Sequence, residues 1–468
     1  MDNELTALGI LFTEFYYWVT VVFMFLIHVG FCMYEVGATR QKNHMHTLMK
    51  NTMIIPLVTV SFYFFGWWIY FAFPNGPWII GDLLAAPFAT ANSELMGTHL
   101  GGPPVQGALS ADDTAFWARI NGVFFAAFLL FSWTAASIVS GAVIERIRSS
   151  AFWILAVLIG SVFWIIDAAW GWHPDGWMVQ KLGYHDAYAS GVIHAVAGGF
   201  ALGVLIPLGA RIGKFAEDGT PRNIGPRNPW LVTVGLFLIY TGFWGFYAAC
   251  NIPMIDVQQG EGVVFSATNI YLGPTTLSAI TLNFLMSLAG GMMAAYTISK
   301  GDAFWTYSGG LAGIIGASAG NDLYHPIQAM FIAAFVVVIV YKLHFWVERK
   351  FKVDDAVGAV AVHGYAGFLG VVICGFMLWG YPASPNPEYA TINPLGNFIG
   401  AVIMFFVLGF LPGFIFANIL KAMGILRVPP EVEIAGLDVS ATIRQEFEDA
   451  AMVEAEREVV LATYTKGN

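Results

Sequence analysis

At 468 residues, of which 57% are hydrophobic and only 11% charged, the chain holds more apolar surface than a water-soluble fold can cover. No nucleic-acid-binding constellation appears, the formal net charge is −10, and a mean hydropathy of +0.66 places the chain among integral membrane proteins. Short alternating strands of the kind that build a transmembrane barrel are absent, so the spans are read as helices and the fold class as all-α.

Eleven apolar spans follow in chain order, at residues 11–35, 53–74, 117–141, 150–170, 189–209, 229–251, 274–298, 304–320, 326–347, 357–380 and 396–420. Each is near the ~20 residues a helix needs to cross the hydrocarbon layer. Basic residues gather after the odd-numbered spans: Arg40, Lys42 and Lys50 after the first, Arg146 and Arg148 after the third, Arg211, Lys214, Arg222 and Arg227 after the fifth. The alternation continues with Lys300, then Arg349, Lys350 and Lys352, then Lys421 and Arg427, while Arg119 and Lys181 fall near opposite connections. The positive-inside rule then predicts an outside N-terminus and a cytoplasmic C-terminus, hence a transmembrane domain over 1–425 and a cytoplasmic tail over 426–468.

The outer connections carry Asp82, Glu94, Asp112, Asp113, Asp175, Asp186, Asp256, Glu261, Asp322 and Glu388, which either concentrate cations weakly or simply keep those loops solvated. Met1 to Leu11 has no basic n-region and no evident cleavage site, so no removable signal peptide is expected. Cys32, Cys250 and Cys374 all lie within spans, where a thiol behaves as a small hydrophobe.

Two histidines stand out. His194 in the fifth span and His363 in the tenth share the pattern His-x-x-Ala-Gly, as His194-Ala-Val-Ala-Gly198 and His363-Gly-Tyr-Ala-Gly367. They are 363 − 194 = 169 residues and five crossings apart. An odd number of crossings reverses direction, so spans one to five and six to ten are predicted to form an inverted repeat, with the eleventh span outside it. The imidazoles would then meet near the repeat axis. A charged group in hydrocarbon costs roughly 2 to 3 kcal/mol or more, so a matched pair points to a relay for a proton or polar solute.

Three other readings of the pair stand beside this one. Each ring hydrogen-bonds a neighbouring helix, as is expected of the lone His28; or the two ligate a haem; or they hold a metal. No Cys-x-x-Cys-His, carboxylate cluster or His-Glu-x-x-His accompanies them, so no metal and no cofactor is expected, and no nucleotide-binding or hydrolase motif appears. The chain is therefore not read as an enzyme. The run Ser308-Gly309-Gly310-Leu311-Ala312-Gly313, continued by Gly316 and Gly320, predicts helices in close contact.

From about Phe12 to Ser440 the ordered motifs resemble the ammonium transporter family (Amt, Mep and Rh), nearer the Amt branch than a Rh-like gas channel. Those motifs are Gly37-Ala38-Thr39-Arg40-Gln41-Lys42-Asn43, Gly141-Ala142-Val143-Ile144-Glu145-Arg146-Ile147-Arg148, Asp186 eight residues before His194, and Gly242-Phe243-Trp244-Gly245-Phe246. Val353-Asp354-Asp355 before His363, Arg427-Val428-Pro429 and Gly436-Leu437-Asp438 complete the set. The resemblance implies a homotrimer of eleven-helix subunits in the inner membrane, each with a hydrophobic pore lined by His194 and His363. It makes Phe131 and Trp170 an outer recruitment site for ammonium, Phe131 and Phe246 a stacked gate, and Asp186 a structural acid.

Departures from the family pattern are Cys250 where a serine is expected, Gly358 where an acid is frequent, and Ala127 where an aromatic is frequent. Asp167, one turn before Trp170, is read either as a vestibule acid that strengthens cation capture or as a membrane-edge acid capped by a neighbour. The residues from Ile443 to Thr465 predict a helix that docks on the trimer, meets a PII-type regulator, or leads to an output domain. The last possibility keeps an ammonium sensor open beside an ammonium transporter.

Overall fold

The computed structural model describes residues 2–76, 113–258, 262–438 and residue 454. Among these, ten helices are long and apolar enough to cross a membrane. The helices are α1 (Asp2–Ala38), α2 (Gln41–Ala72), α3 (Asp113–Ala142), α4 (Ser149–Gly171), α5 (Ser190–Leu208) and α6 (Pro229–Ala249). They continue as α7 (Leu277–Ile298), α8 (Ala303–Ser318), α9 (Pro326–Phe351), α10 (Val360–Met377) and α11 (Pro394–Ala422), with a short α12 (Pro430–Ala435) after them. Every apolar run of the sequence has its helix. The eighth, with 16 residues, rises only about 24 Å and falls short on length.

Helix starts follow from local chemistry. Asn228, Thr276, Asp302 and Asn393 each accept a backbone N–H from the first turn of α6, α7, α8 and α11, and Pro229, Pro326 and Pro394 sit where no amide partner is needed. The helix α9 ends on Arg349 and Lys350, cations at the negative end of its dipole. The run from Ile443 to Thr465, where a tail helix is expected, lies outside the described residues apart from residue 454.

The all-α expectation needs a correction between α6 and α7. Strands β1 (Asn251–Gln258) and β2 (Gly262–Asn269) pair antiparallel, with Asn251 opposite Asn269, and β3 (Pro274–Thr275) adds to β2. The cause is a strand-forming composition, with Ile252, Ile255, Val257, Val263 and Val264 around a polar, glycine-containing run, which hydropathy alone does not separate from the end of a span.

The helices pack at backbone distance through glycines. Along α1 and α6 the contacts run antiparallel: a Cβ on Gly245 would lie 2.7 Å from Met24 N, one on Gly242 2.7 Å from Ile27 N, and one on Gly235 2.6 Å from Tyr34 N. Without a hydrophobic drive between helices in lipid, such close contact is what holds them together.

Charged groups collect in two layers. In one, the connections after α1, α3, α5, α9 and α11 meet: Arg40 pairs with Glu145 (2.7 Å), Arg211 with Glu145 (3.4 Å) and Asp354 (2.8 Å), and Arg427 with Glu433 (2.8 Å). In the other, the connections after α4, α6, α8 and α10 meet: Asp322 bonds His185 (3.0 Å) and Asn269 (2.7 Å), and Tyr389 donates to Asp175 (3.0 Å). Asp186 and Asp322 are thus buried and paired rather than members of a solvated outer face; Asp82, Glu94, Asp112 and Glu261 lie outside the described residues.

Candidate functional site: the paired histidines

Both histidines ride on the same local device. The chain enters α5 through Ala189 at φ +69° and winds into a π-helical turn, Ser190–Ala195, that contains His194. It enters α10 through Gly358 at φ +72° and winds into a second, Val360–Tyr365, that contains His363. Such widened turns are uncommon and gather at functional sites, because they aim one side chain away from the regular helical face.

Each turn hangs from a carboxylate eight residues before its histidine. Asp186 accepts the amides of Ser190 (2.7 Å), Gly191 (2.7 Å) and Val192 (2.9 Å), and Asp355 accepts those of Val360 (2.9 Å) and Ala361 (3.2 Å). A negative group at a helix start satisfies orphan amides and complements the dipole. Burial pushes the Asp186 carboxyl up to about 6 and Asp355 up to about 7, with the amide bonds pulling the other way in both.

The two rings meet. His194 Nδ1 and His363 Nδ1 are 3.0 Å apart, with ring centroids at 5.1 Å, and both side chains are buried. One ring nitrogen donates and the other accepts, so the pair shares one N–H and a shift of tautomer reverses the bond. The 3.0 Å separation between the two nitrogens is that of an N–H···N hydrogen bond.

Aromatic rings wall the pair on one side. Phe243 and Phe246 stack on each other (4.8 Å) and on His194 (5.9 and 5.6 Å), and Phe131 crosses Phe246 edge-on at 4.8 Å. Phe131 and Phe246 stand together edge-on, not stacked as the resemblance implies, and Phe243 joins them, three residues before Phe246 and so on the same helical face.

Trp170 takes a different place from the one expected beside Phe131. Its ring is half-buried against Trp177 at 5.8 Å, while Trp172 meets Phe131 at 5.2 Å and donates its Nε1 proton to the Asp186 carbonyl (2.7 Å). Two residues along a helix end turn the side chain to another face, which spacing alone does not resolve. Cys250 is buried at the end of α6 and its thiol lies 3.3 Å from the Phe246 carbonyl as donor. Asp167 is fully buried and neither carboxylate oxygen has a hydrogen-bond partner among the described residues, so it is not capped by a neighbour.

Gly358 is explained by backbone rather than by charge. It is the counterpart of Ala189, five residues before its histidine, and an added Cβ there would meet the Trp305 ring at 3.5 Å. Asp355, Trp172 and Phe243 had no role assigned from the sequence. The repeated interval of eight residues before each histidine is the signal that finds Asp355.

Together the fold and this site define a polytopic helical membrane protein whose two halves each present a histidine to one aromatic-walled position. The chain belongs to the Ammonium Transporter Family, whose sequence model matches residues 15–447. It is 31% identical over 445 residues to the ammonium transporter Amt2 of Methanocaldococcus jannaschii, covering 94% of this chain and 92% of that one. It is 28% identical over 442 residues to Amt2 of Archaeoglobus fulgidus, covering 90% and 84%. These relatives are named as transporters, not enzymes. Among solved structures, a "Sensor Amt Protein" superposes with a TM-score of 0.74 at 24% identity, over 94% of this chain and 99% of that chain. Mep2 of Saccharomyces cerevisiae gives 0.64 at 16% identity, over 89% and 87%; both likenesses concern the fold.

Proposed function

We propose that this chain moves ammonium across the cytoplasmic membrane by capturing the cation, removing a proton, and passing ammonia and the proton separately along the histidine pair. The observation that carries the reading is the 3.0 Å contact between Nδ1 of His194 and Nδ1 of His363, buried beneath stacked phenylalanines. Ammonium offers four donors, and aromatic faces attract it by about 0.5 to 2 kcal/mol once it is partly dehydrated, enough to collect it without trapping it. Phe131 and Trp172 form the capture wall, Trp170 and Trp177 its rim, and Phe131 crossed over Phe246 the gate. Asp186 fixes the turn below them, Asp167 places a buried carboxyl group without a hydrogen-bond partner among the described residues nearby, and Cys250 offers sulfur in place of a stronger oxygen ligand.

Beyond the gate the apolar wall disfavours a charged species, so the proton leaves and neutral ammonia proceeds. Potassium has no proton to shed and is left behind. The two charge layers support eleven crossings: α8 starts beside the layer of basic loops and ends at Ser318, four residues before Asp322 of the opposite layer, which favours a crossing despite its length. The antiparallel contacts of α1 with α6 support an inverted repeat, and the basic layer is assigned to the cytoplasm with the tail over 426–468. The functional unit is a homotrimer in lipid, with the tail open to a PII-type regulator.

Purified chain in liposomes on a solid-supported membrane, given jumps of ammonium and of potassium, tests this. Wild type is expected to give current with ammonium alone, and His194→Ala and His363→Ala to alter the charge carried per ammonia. Unchanged current and unchanged selectivity over potassium in both variants refutes the relay. Ammonium binding without current in the wild type turns the reading toward a sensor.

A further inference from the structure

Between His363 and the basic layer lies a cavity of about 10 Å³, near the room that the centre of one water molecule needs. His363, Tyr34, Glu35, Ser137, Gly141 and Ser308 are among the side chains and backbone that line it. Glu35, on α1, is fully buried. Its two oxygens differ sharply. Oε2 accepts from Ser140 Oγ (2.7 Å) and Asn51 Nδ2 (2.9 Å) and pairs with Lys50 Nζ (3.6 Å), whose ammonium also donates to the Ser140 carbonyl (2.7 Å). Oε1 has no partner among the described residues and lies 3.6 Å from where a Cβ on Gly141, another residue of that lining, would stand.

A carboxylate anchored through one oxygen, with the other free, on a residue that lines a cavity together with a histidine, is built to take a proton rather than to hold helices together. A buried ion pair serving only as a brace would use both oxygens, since an unpaired one adds desolvation cost with no return. We propose that Glu35 is the inner proton acceptor of the histidine pair, with Lys50 as its fixed counter-charge. The proposal rests on the transport reading above and names its inward proton route.

The step balances. A ring N–H of protonated His363 gives its proton to a water in the cavity, and that water passes one of its own protons to Glu35 Oε1. The carboxylate becomes a carboxylic acid, the imidazole becomes neutral, and Lys50 stays an ammonium ion. Glu35 then releases the proton toward the basic layer and returns to a carboxylate. The way out is short: Val357 and Ala359 line this cavity, and Ala356 and Gly358, in the same turn, line a cavity of about 420 Å³ beside Arg211, Lys214 and Asp355.

The test uses the full chain in liposomes, with current read on a solid-supported membrane and ammonia entry read in parallel from an entrapped pH dye. Glu35→Gln keeps shape and removes the proton acceptor. Because it leaves Lys50 without a counter-charge and so threatens folding, Glu35→Gln/Lys50→Met is measured beside it. Both are expected to lower the charge moved per ammonia by about tenfold, and Glu35→Asp to restore part of it. A wild-type ratio in both neutral variants overturns the Glu35 assignment while leaving the histidine relay standing. A wild type that carries no ammonium current overturns the transport reading and this route together.

Discussion

At Gly198 an added Cβ would stand 2.2 Å from Gly364 Cα and 2.3 Å from Gly364 N, and at Gly367 it would stand 2.0 Å from the Ser190 carbonyl oxygen. All of these obstacles are backbone, which no rotamer change relieves. The glycines four residues after each histidine therefore set the distance between α5 and α10, and with it the 3.0 Å bond between the rings. Gly198→Ala is expected to force the helices apart, lower stability by about 1 to 3 kcal/mol, and abolish ammonium current even though both histidines remain. Thermal unfolding in detergent and electrophysiology on the same preparation check this; a variant with unchanged melting and current would show that the contact yields. The histidines were legible because each sits in a polar-poor span within a repeated five-residue motif. The choice between Trp170 and Trp172 was not, since it depends on how the end of α4 turns, and Phe243 was hidden among 39 phenylalanines.

The π-helical turns were invisible in the sequence for a different reason, since one extra residue per turn leaves hydropathy and composition unchanged. Their carboxylate caps were half visible: Asp186 had a structural role from the resemblance, while its counterpart Asp355 stood in a motif without one. The caps carry a consequence for pH. Asp355, ordinarily near 3.8, is pushed up to about 7 by burial, so across that interval the folded chain holds its proton more tightly than the unfolded chain does. Its contribution to stability is then full below about pH 4 and is lost as pH rises through about 7. Asp354, held well below the usual carboxylate range by the Arg146 and Arg211 guanidiniums, loses its contribution only in stronger acid and does not mask the effect. Wild type minus Asp355→Asn is expected to show stability falling between pH 4 and 7, with a flat difference above. Melting curves of the two proteins that run parallel across that interval would count against it.

Over the whole molecule, the loops that follow α1, α3, α5 and α9 come together in one layer, because Arg40 and Arg211 share Glu145 and Arg211 also reaches Asp354. What charge counting did not reveal is that the chain after α11 closes this layer. Arg427 donates to the carbonyls of Leu208 (2.8 Å) and Ala210 (2.7 Å) and to Glu433 (2.8 Å), and Glu433 in turn accepts the Ile212 amide (2.7 Å). Beyond α12, Leu437 N donates to Asn43 Oδ1 (2.9 Å), and the Asp438 carboxylate accepts the amides of Met45 (2.9 Å) and His46 (2.8 Å) at the start of α2. One guanidinium thus holds a strap that runs from the end of α5 to the start of α2. Arg427→Ala would leave two carbonyls and Glu433 without their donor, at about 2 kcal/mol for the segment, moderated by the partial exposure of Arg427. Amide exchange at Met45, His46 and Leu437 is then expected to accelerate by about thirtyfold, because their protection depends on the strap staying closed. The amides of Ser190, Gly191 and Val192 are held by Asp186 on the opposite layer and should keep their wild-type rates. Exchange that stays slow at Met45 and His46 would mean the Asp438 cap stands without Arg427, and the strap would then be two independent contacts rather than one.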